Sequence, residues 1–148
     1  MATLTRSTTI EAPVEQVYDY AVDVRNLWVM PDVGLADVDQ RPEGVGSTAK
    51  IFSHFFGLHF EMKLEILQAV RPDKLVLKFT SNTPDRPLWT LVFESIEDGT
   101  TVTMTGEWHV NLPAIGGPME EMQARAHKDM VDGLLANLKS KVESLVAA

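Results

Sequence analysis

The residues of this chain that could do acid–base chemistry are led by one closely spaced pair. Glu107 and His109 stand two positions apart in a run of β-type residues, so they would share one face of a strand. A carboxylate beside an imidazole can act as a general acid–base pair if that face lines a cavity. The side of the strand on which the pair lies therefore decides between catalysis and a solvated surface.

The other histidines and two serines offer less chemistry. His54 and His59 would face each other across a hairpin, but no cysteine or third ligand stands near them, so no metal site is predicted. Ser53 and Ser95 are expected to face inward and to bond to local backbone. His127 stands beside an apolar helical stripe and is expected at its edge, with a contact at the mouth of a cavity as the alternative.

Composition limits the classes of function. The chain has 148 residues, about one domain, and its net charge is −8 with Lys and Arg scattered singly among acids. This pattern argues against a nucleic-acid partner and against docking on anionic membranes. No window approaches the roughly 18 apolar residues of a membrane span, and no signal-peptide pattern opens the chain. We expect one cytoplasmic domain over residues 1–148, without disulfides, membrane insertion or a cofactor.

The elements that must position these residues begin with a strand and two short helices. Residues 3–11 have β-type character, and Pro13 suits the first position of a helix. A second short helical segment is expected from Asp23 to Met30, where the following proline ends it. Six further strands are then predicted between Gly- and Pro-containing turns, at 35–41, 47–55, 58–69, 74–81, 87–96 and 100–110.

A long amphipathic helix closes the chain, from Pro118 to about residue 145. An antiparallel sheet with one face to bury, covered by one such helix, predicts an α+β fold. The apolar stripe of the helix is Met119, Met122, Ala126, Met130, Leu134, Leu138, Val142 and Leu145.

Two hairpin turns indicate which side chains face inward. The Asp-Gly pair at 98–99 favours a two-residue turn, which would place Trp89 opposite Trp108 and Leu91 opposite Gly106. An even-length loop at the Phe-Gly pair 56–57 similarly sets the register of the strands around it, whereas an odd-length loop would reverse the faces of one strand. The predicted inner surface is Ile51, Phe55, Phe60, Met62, Leu64, Leu77, Phe79, Trp89, Leu91, Phe93, Met104 and Trp108.

This inner surface can be a packed core or the wall of a cavity. Large aromatic residues are expected opposite each other, whereas a tight core alternates large and small side chains. Flexible methionines on the strands and the last helix suit a surface that adapts to varied apolar ligands. Both features favour a cavity, and the same parity sends Glu107 and His109 outward.

Several segments, taken in order, resemble one superfamily. TIEAPVEQVYDYAVDVRNLW, GVGSTAKI, LEILQAVRPDKLVLKF and WTLVFESIEDGTTVTMT, with the long C-terminal helix, resemble the START/Bet v 1-like (SRPBCC) superfamily and its bacterial polyketide cyclase/dehydrase and lipid-transport group. The resemblance implies a helix-grip fold, in which a curved seven-stranded antiparallel sheet wraps around the helix with an apolar cavity between them. In one departure, DVRNLWVMP lacks the family's proline after the aspartate, and Trp28 takes the place of its aromatic residue.

Binding or transport of a hydrophobic small molecule, such as a lipid or polyketide, is the function that this resemblance implies. The alternative is a cyclase- or dehydratase-like enzyme that uses a cavity acid–base pair. Because the parity sends Glu107 and His109 outward, no catalytic residue is assigned. The predicted ligand-binding residues are Trp28, Ile51, Phe55, Phe60, Met62, Leu77, Phe79, Trp89, Leu91, Met104, Trp108, Met119, Met122 and Met130.

Overall fold

The order of strands and helices follows the sequence prediction. A computed structural model describes residues 2–27, 33–55, 58–80, 87–108 and 116–147, without the side chains of residues 2, 27, 53–60, 116–124 and 126. The elements are β1 (Ala2–Ile10), α1 (Val14–Ala21), α2 (Val24–Leu27), β2 (Val33–Asp39), β3 (Thr48–Phe55), β4 (Leu58–Val70), β5 (Lys74–Thr80), β6 (Leu88–Ile96), β7 (Gly99–Trp108) and α3 (Gly116–Ala147).

The seven strands form one antiparallel sheet in the order β1-β7-β6-β5-β4-β3-β2. Strands β2 to β7 follow one another as neighbours, whereas β1 pairs with β7 at the far edge, with Ala2 opposite Trp108. The chain therefore crosses from one edge of the sheet to the other between β1 and β2, where α1 and α2 lie. The predicted α+β fold, a seven-stranded antiparallel sheet with a long C-terminal helix, is confirmed.

Helix α1 begins one residue later than predicted. Pro13 has extended backbone angles (φ −62°, ψ 147°) and occupies the capping position before the helix, not its first turn. Its carbonyl oxygen accepts hydrogen bonds from the backbone N–H groups of Gln16 and Val17, both at 3.1 Å. The fixed φ of proline suits either position, so the sequence alone does not separate them.

On the buried face of α1, Tyr18 packs edge-on against Phe93 with ring centroids 5.4 Å apart.

The β3–β4 register agrees with the sequence prediction. Ile51 lies opposite Met62 and His54 lies opposite His59, as an even-length loop at 56–57 requires. This pairing places Ile51 and Leu64 on the buried face of the sheet.

The predicted β6–β7 register is wrong by two residues. Trp89 lies opposite Gly106 and not Trp108, because the turn is centred on residues 97–98 and Gly99 already belongs to β7. A β-carbon at Gly99 would overlap the carbonyl oxygen of Ile10 on β1, so this glycine permits close strand approach and does not form the turn. A shift of two residues keeps each side chain on its predicted face.

The core lies between one face of the sheet and α3. The strand residues buried there include Ile51, Leu64, Ile66, Leu75, Leu77, Phe79, Trp89, Leu91, Phe93, Val102, Met104 and Trp108. Burying one large apolar side chain contributes about 1.5–3 kcal/mol, so this layer is the main driving force for folding.

The buried stripe of α3 differs from the predicted one at two kinds of position. Val131 and Leu135 are buried although the predicted apolar stripe omits them. Leu145 belongs to the predicted stripe but is 55% exposed. Residues 144–147 are all exposed, so the last turn of α3 extends beyond the core. A globular helix also buries a stripe wider than the narrow pattern used for the prediction.

Polar contacts fix α3 beside β1. Arg6 donates two hydrogen bonds to the carboxylate of Asp132, at 2.7 and 3.2 Å, and Lys139 Nζ donates to the carbonyl oxygen of Thr9 at 2.7 Å. Exposed ion pairs contribute little to stability, typically under about 1 kcal/mol. Their effect here is to set the position of α3 over the sheet.

Candidate functional site

The candidate site is the apolar inner face of the sheet, which lies beneath α3. Alternate residues of β3 to β7 contribute to it because side chains two positions apart share a face. Of the predicted ligand-binding residues, the ones buried on this face are Ile51, Leu77, Phe79, Trp89, Leu91, Met104 and Trp108.

Three ring side chains meet where α3 passes over the end of β7, and we call them the aromatic cluster: Trp89, Trp108 and His127. The two indoles are stacked, with centroids 6.2 Å apart and 20° between their planes. The imidazole of His127 packs edge-on against both, with its centroid 4.2 Å from that of Trp108 and 5.7 Å from that of Trp89. His127 is half-buried, as an edge position predicts, and a contact at the mouth of a cavity stays a prediction.

The indole nitrogen of Trp108 is a feature that the sequence analysis missed. Nε1 is buried, and it has no hydrogen-bond acceptor within the described part of the chain. An indole N–H can only donate, and leaving such a donor unsatisfied in the interior costs about 1–3 kcal/mol. The sequence predicts Trp108 only as an apolar contact, because strand parity does not give the position of a donor relative to other elements.

The inner face is not closed evenly along its length. Leu64 on β4 and Leu134 on α3 are completely buried. Met62, two residues from Leu64 on the same face, is only partly buried, and so is Met130, one helical turn before Leu134. Inward-facing apolar surface therefore remains in contact with solvent at these two methionines.

Some of the predicted contacts fall outside the described residues. Trp28 is one of them, and the side chains of Phe55, Phe60, Met119 and Met122 are others. Their place in the site stays a prediction.

Glu107, the described residue of the possible acid–base pair, does not lie on the inner face. Glu107 is exposed on the opposite face of β7, as parity predicted, and His109 is outside the described residues. Ser95 was expected to face inward but is exposed, because residues 94–98 of β6 and its turn all extend beyond the core.

Buried polar side chains stabilise loops and do not line the site. The hydroxyl of Thr100 donates to the carbonyl oxygen of Ala12 at 2.8 Å, and Ser47 Oγ accepts the N–H of Arg41 at 2.9 Å. Every Asp, Glu, Lys and Arg side chain that the structure describes is at least partly exposed. The described residues also contain no group of three or more His, Cys, Asp or Glu side chains that could hold a metal ion. The described interior thus offers mainly apolar and ring surfaces.

No helix within the described ranges is long and apolar enough to cross a membrane.

Comparison with known proteins agrees with this architecture. The sequence model of the family described as polyketide cyclase / dehydrase and lipid transport matches residues 1–143. No curated protein matches the chain.

Solved structures share the fold at low sequence identity. The protein TTHA0849 from Thermus thermophilus superposes with a TM-score of 0.82 at 23% identity, over 99% of both chains. A START superfamily protein from Mycobacterium smegmatis gives a TM-score of 0.75 at 14% identity, over 97% of this chain and 98% of that one. The di-domain ARO/CYC protein BexL of the BE-7585A biosynthetic pathway gives 0.70 at 20% identity, over 96% of this chain and 50% of that one. Likeness at these identities shows a shared fold.

Proposed function

Because the chain belongs to the polyketide cyclase/dehydrase and lipid transport family, we propose that it binds or carries a hydrophobic small molecule in an apolar cavity between the sheet and α3. A lipid, a polyketide or a similar molecule fits this proposal. Residues 1–148 would act as one ligand-binding domain, and a cytoplasmic location stays a prediction.

The observation that carries the proposal is the uneven closure of the inner face. Met62 and Met130 face inward yet are only partly buried, next to leucines that are completely buried. The partly buried methionines leave apolar surface beside the core that a ligand could cover. Flexible thioether side chains at an opening can move aside for ligands of different shapes.

Aromatic side chains further inside would supply most of the contact area. Phe79, Trp89 and Trp108 are each at most 3% exposed. Aromatic residues bury large areas and prefer offset-stacked or edge-on contacts, so they suit a flat or ring-containing ligand. With no buried acidic or basic side chain described, apolar burial would drive the binding.

Two measurements on the full chain test the proposal. Native mass spectrometry of freshly purified protein should show a bound molecule, and its mass would indicate the ligand class. Titration with the neutral dye N-phenyl-1-naphthylamine should give saturable fluorescence enhancement with one site per chain. Protein that carries no molecule and leaves the dye fluorescence unchanged would overturn the proposal.

The alternative is a cyclase- or dehydratase-like enzyme, and the half-buried imidazole of His127 in the aromatic cluster favours keeping it. General acid–base catalysis needs a titratable group within hydrogen-bond reach of the proton that it transfers. Glu107 is on the outer face, so it cannot supply that group. Loss of a catalysed ring closure or dehydration in His127→Gln, with unchanged dye affinity, would support the enzyme.

A further inference from the structure

We propose that the indole N–H of Trp108 is the polar anchor of this site and donates a hydrogen bond to a neutral oxygen of the bound molecule. This inference rests on the proposed function, since it needs a ligand on the inner face. It makes Trp108 a residue that selects among apolar ligands by one polar group.

The first support is the state of the donor itself. Trp108 is 2% exposed, and its Nε1 has no acceptor within the residues that the structure describes. Buried polar side-chain atoms are bonded in the large majority of cases, and each exception calls for an explanation. A ligand oxygen at this point would satisfy the donor while the rest of the ligand covers apolar surface.

The second support is the position of the donor within the aromatic cluster. Trp108 stacks with Trp89 and touches His127 of α3, so its indole lies between the sheet and the helix. That is the layer in which the proposed ligand would lie.

The charge of the surroundings indicates what kind of oxygen would bind. Each described Asp, Glu, Lys and Arg side chain has some exposure to solvent, so no permanently charged cation from this set is buried beside Trp108, whose titratable neighbour is the half-buried imidazole of His127. Moving a carboxylate or phosphate into such surroundings is costly without a paired cation. A carbonyl, ether or hydroxyl oxygen loses far less hydration. The ligand class is therefore a largely apolar molecule that carries a neutral oxygen acceptor.

A pair of probes that differ only in the acceptor tests this inference. In 2-acetylnaphthalene a carbonyl oxygen stands where 2-isopropenylnaphthalene has a CH₂ group, and the two are nearly equal in shape. Calorimetry on the full chain gives a Kd for each, and the hydrocarbon-to-ketone Kd ratio isolates the hydrogen bond from apolar contact. We expect that ratio to fall about three- to tenfold in Trp108→Phe, the effect of one net hydrogen bond.

Trp89→Phe is the matched control. It removes a similar ring area from the aromatic cluster but leaves the donor at position 108 in place. Both probes should bind it more weakly, and their Kd ratio should stay at the wild-type value. An equal fall in the ratio in both variants would mean that ring area, not the donor, selects the ketone.

A spectroscopic measurement on wild-type protein guards against misfolding of the variant. The chain has three tryptophans, so ¹⁵N-labelled protein gives few indole N–H signals to assign. The Trp108 signal should move downfield with the ketone and stay nearly in place with the hydrocarbon. If both probes bind and this signal responds to them equally, the anchor is wrong and the proposed function stands. If neither probe binds, the proposed function fails and the anchor with it.

Discussion

The benzene ring of Trp89 lies directly over the backbone of Gly106, its cross-strand partner on β7. A β-carbon at position 106 would overlap three carbon atoms of that ring. The indole is 1% exposed and stacked on Trp108, so moving it away from Gly106 would disturb that stacking. The absence of a side chain at Gly106 thus sets the position of Trp89 and, through it, of the aromatic cluster.

Gly106→Ala should therefore destabilise the protein. Forcing an extra carbon into a packed layer typically costs about 1–3 kcal/mol. Urea denaturation followed by far-UV circular dichroism would measure the loss as a lower midpoint. Gly34→Ala on β2 is the control, because a β-carbon there would meet nothing within 4 Å, and its stability should stay within about 0.5 kcal/mol of wild type. Equal midpoints for the two variants would contradict this account of the Trp89–Gly106 contact.

The two hairpins show where a local sequence signal determines register and where it does not. At 56–57 the loop length alone fixed the pairing of Ile51 with Met62, and that prediction was right. At 98–99 the local pattern predicts a turn that contains Gly99. In the structure this glycine lies against the carbonyl oxygen of Ile10, a contact with β1 from about ninety positions earlier in the chain. A glycine used for a distant contact has the same local pattern as a glycine used for a turn.

Part of the candidate site was also predictable from local sequence patterns, and part was not. Strand parity placed Leu77, Leu91 and Met104 on the buried face because alternation is a property of each strand by itself. The contact of His127 with Trp108 joins α3 to β7, and helical periodicity does not specify which strand a residue meets. The unsatisfied indole donor depends on that same packing, so it became visible only in the structure.

Gly133→Ala should stabilise the protein. Gly133 is exposed within α3, and glycine in a helix interior is less favourable than alanine by about 1 kcal/mol. The reverse change at Ala136, an exposed position in the next turn, should destabilise by a similar amount. Thermal unfolding of both variants measures this directly. Shifts of the same sign would contradict a helix-propensity effect.

Stability should fall as the pH drops below about 5. The carboxylate of Glu143 accepts the backbone N–H of Glu11 at 2.9 Å and the ammonium of Lys139 at 2.7 Å, and these contacts lower its pKa. The hydrogen bond from Arg71 likewise lowers the pKa of Asp19. A carboxyl whose pKa is lower in the folded state stabilises it above the unfolded pKa of about 4, and the effect is lost as the pH falls through the folded value.

Glu143→Gln measures how much of that pH dependence comes from Glu143. The amide keeps the size of the side chain but does not titrate, so the unfolding free energy should fall less steeply with decreasing pH below about 5. Urea denaturation of both proteins at a series of pH values from about 3 to about 7 gives the two slopes. Parallel curves for wild type and variant over the whole range would show that the contacts of Glu143 contribute nothing to acid sensitivity.

Two lysine substitutions on opposite faces of the β3–β4 hairpin should separate ligand binding from general surface effects. Met62→Lys would place an ammonium group on the inner face, where an apolar ligand has nothing to solvate it, and should weaken binding of N-phenyl-1-naphthylamine more than about tenfold. Because Met62 is only partly buried, the long lysine side chain can reach solvent in the ligand-free protein and the fold should persist, whereas a bound ligand would cover that route. Phe52→Lys adds the same charge on the outer face, at a side chain that is 42% exposed, and should change dye affinity less than twofold. Fluorescence titration of the two variants, with melting temperatures as a check on folding, makes the comparison. Equal dye affinities in the two variants would place the ligand somewhere other than the inner face.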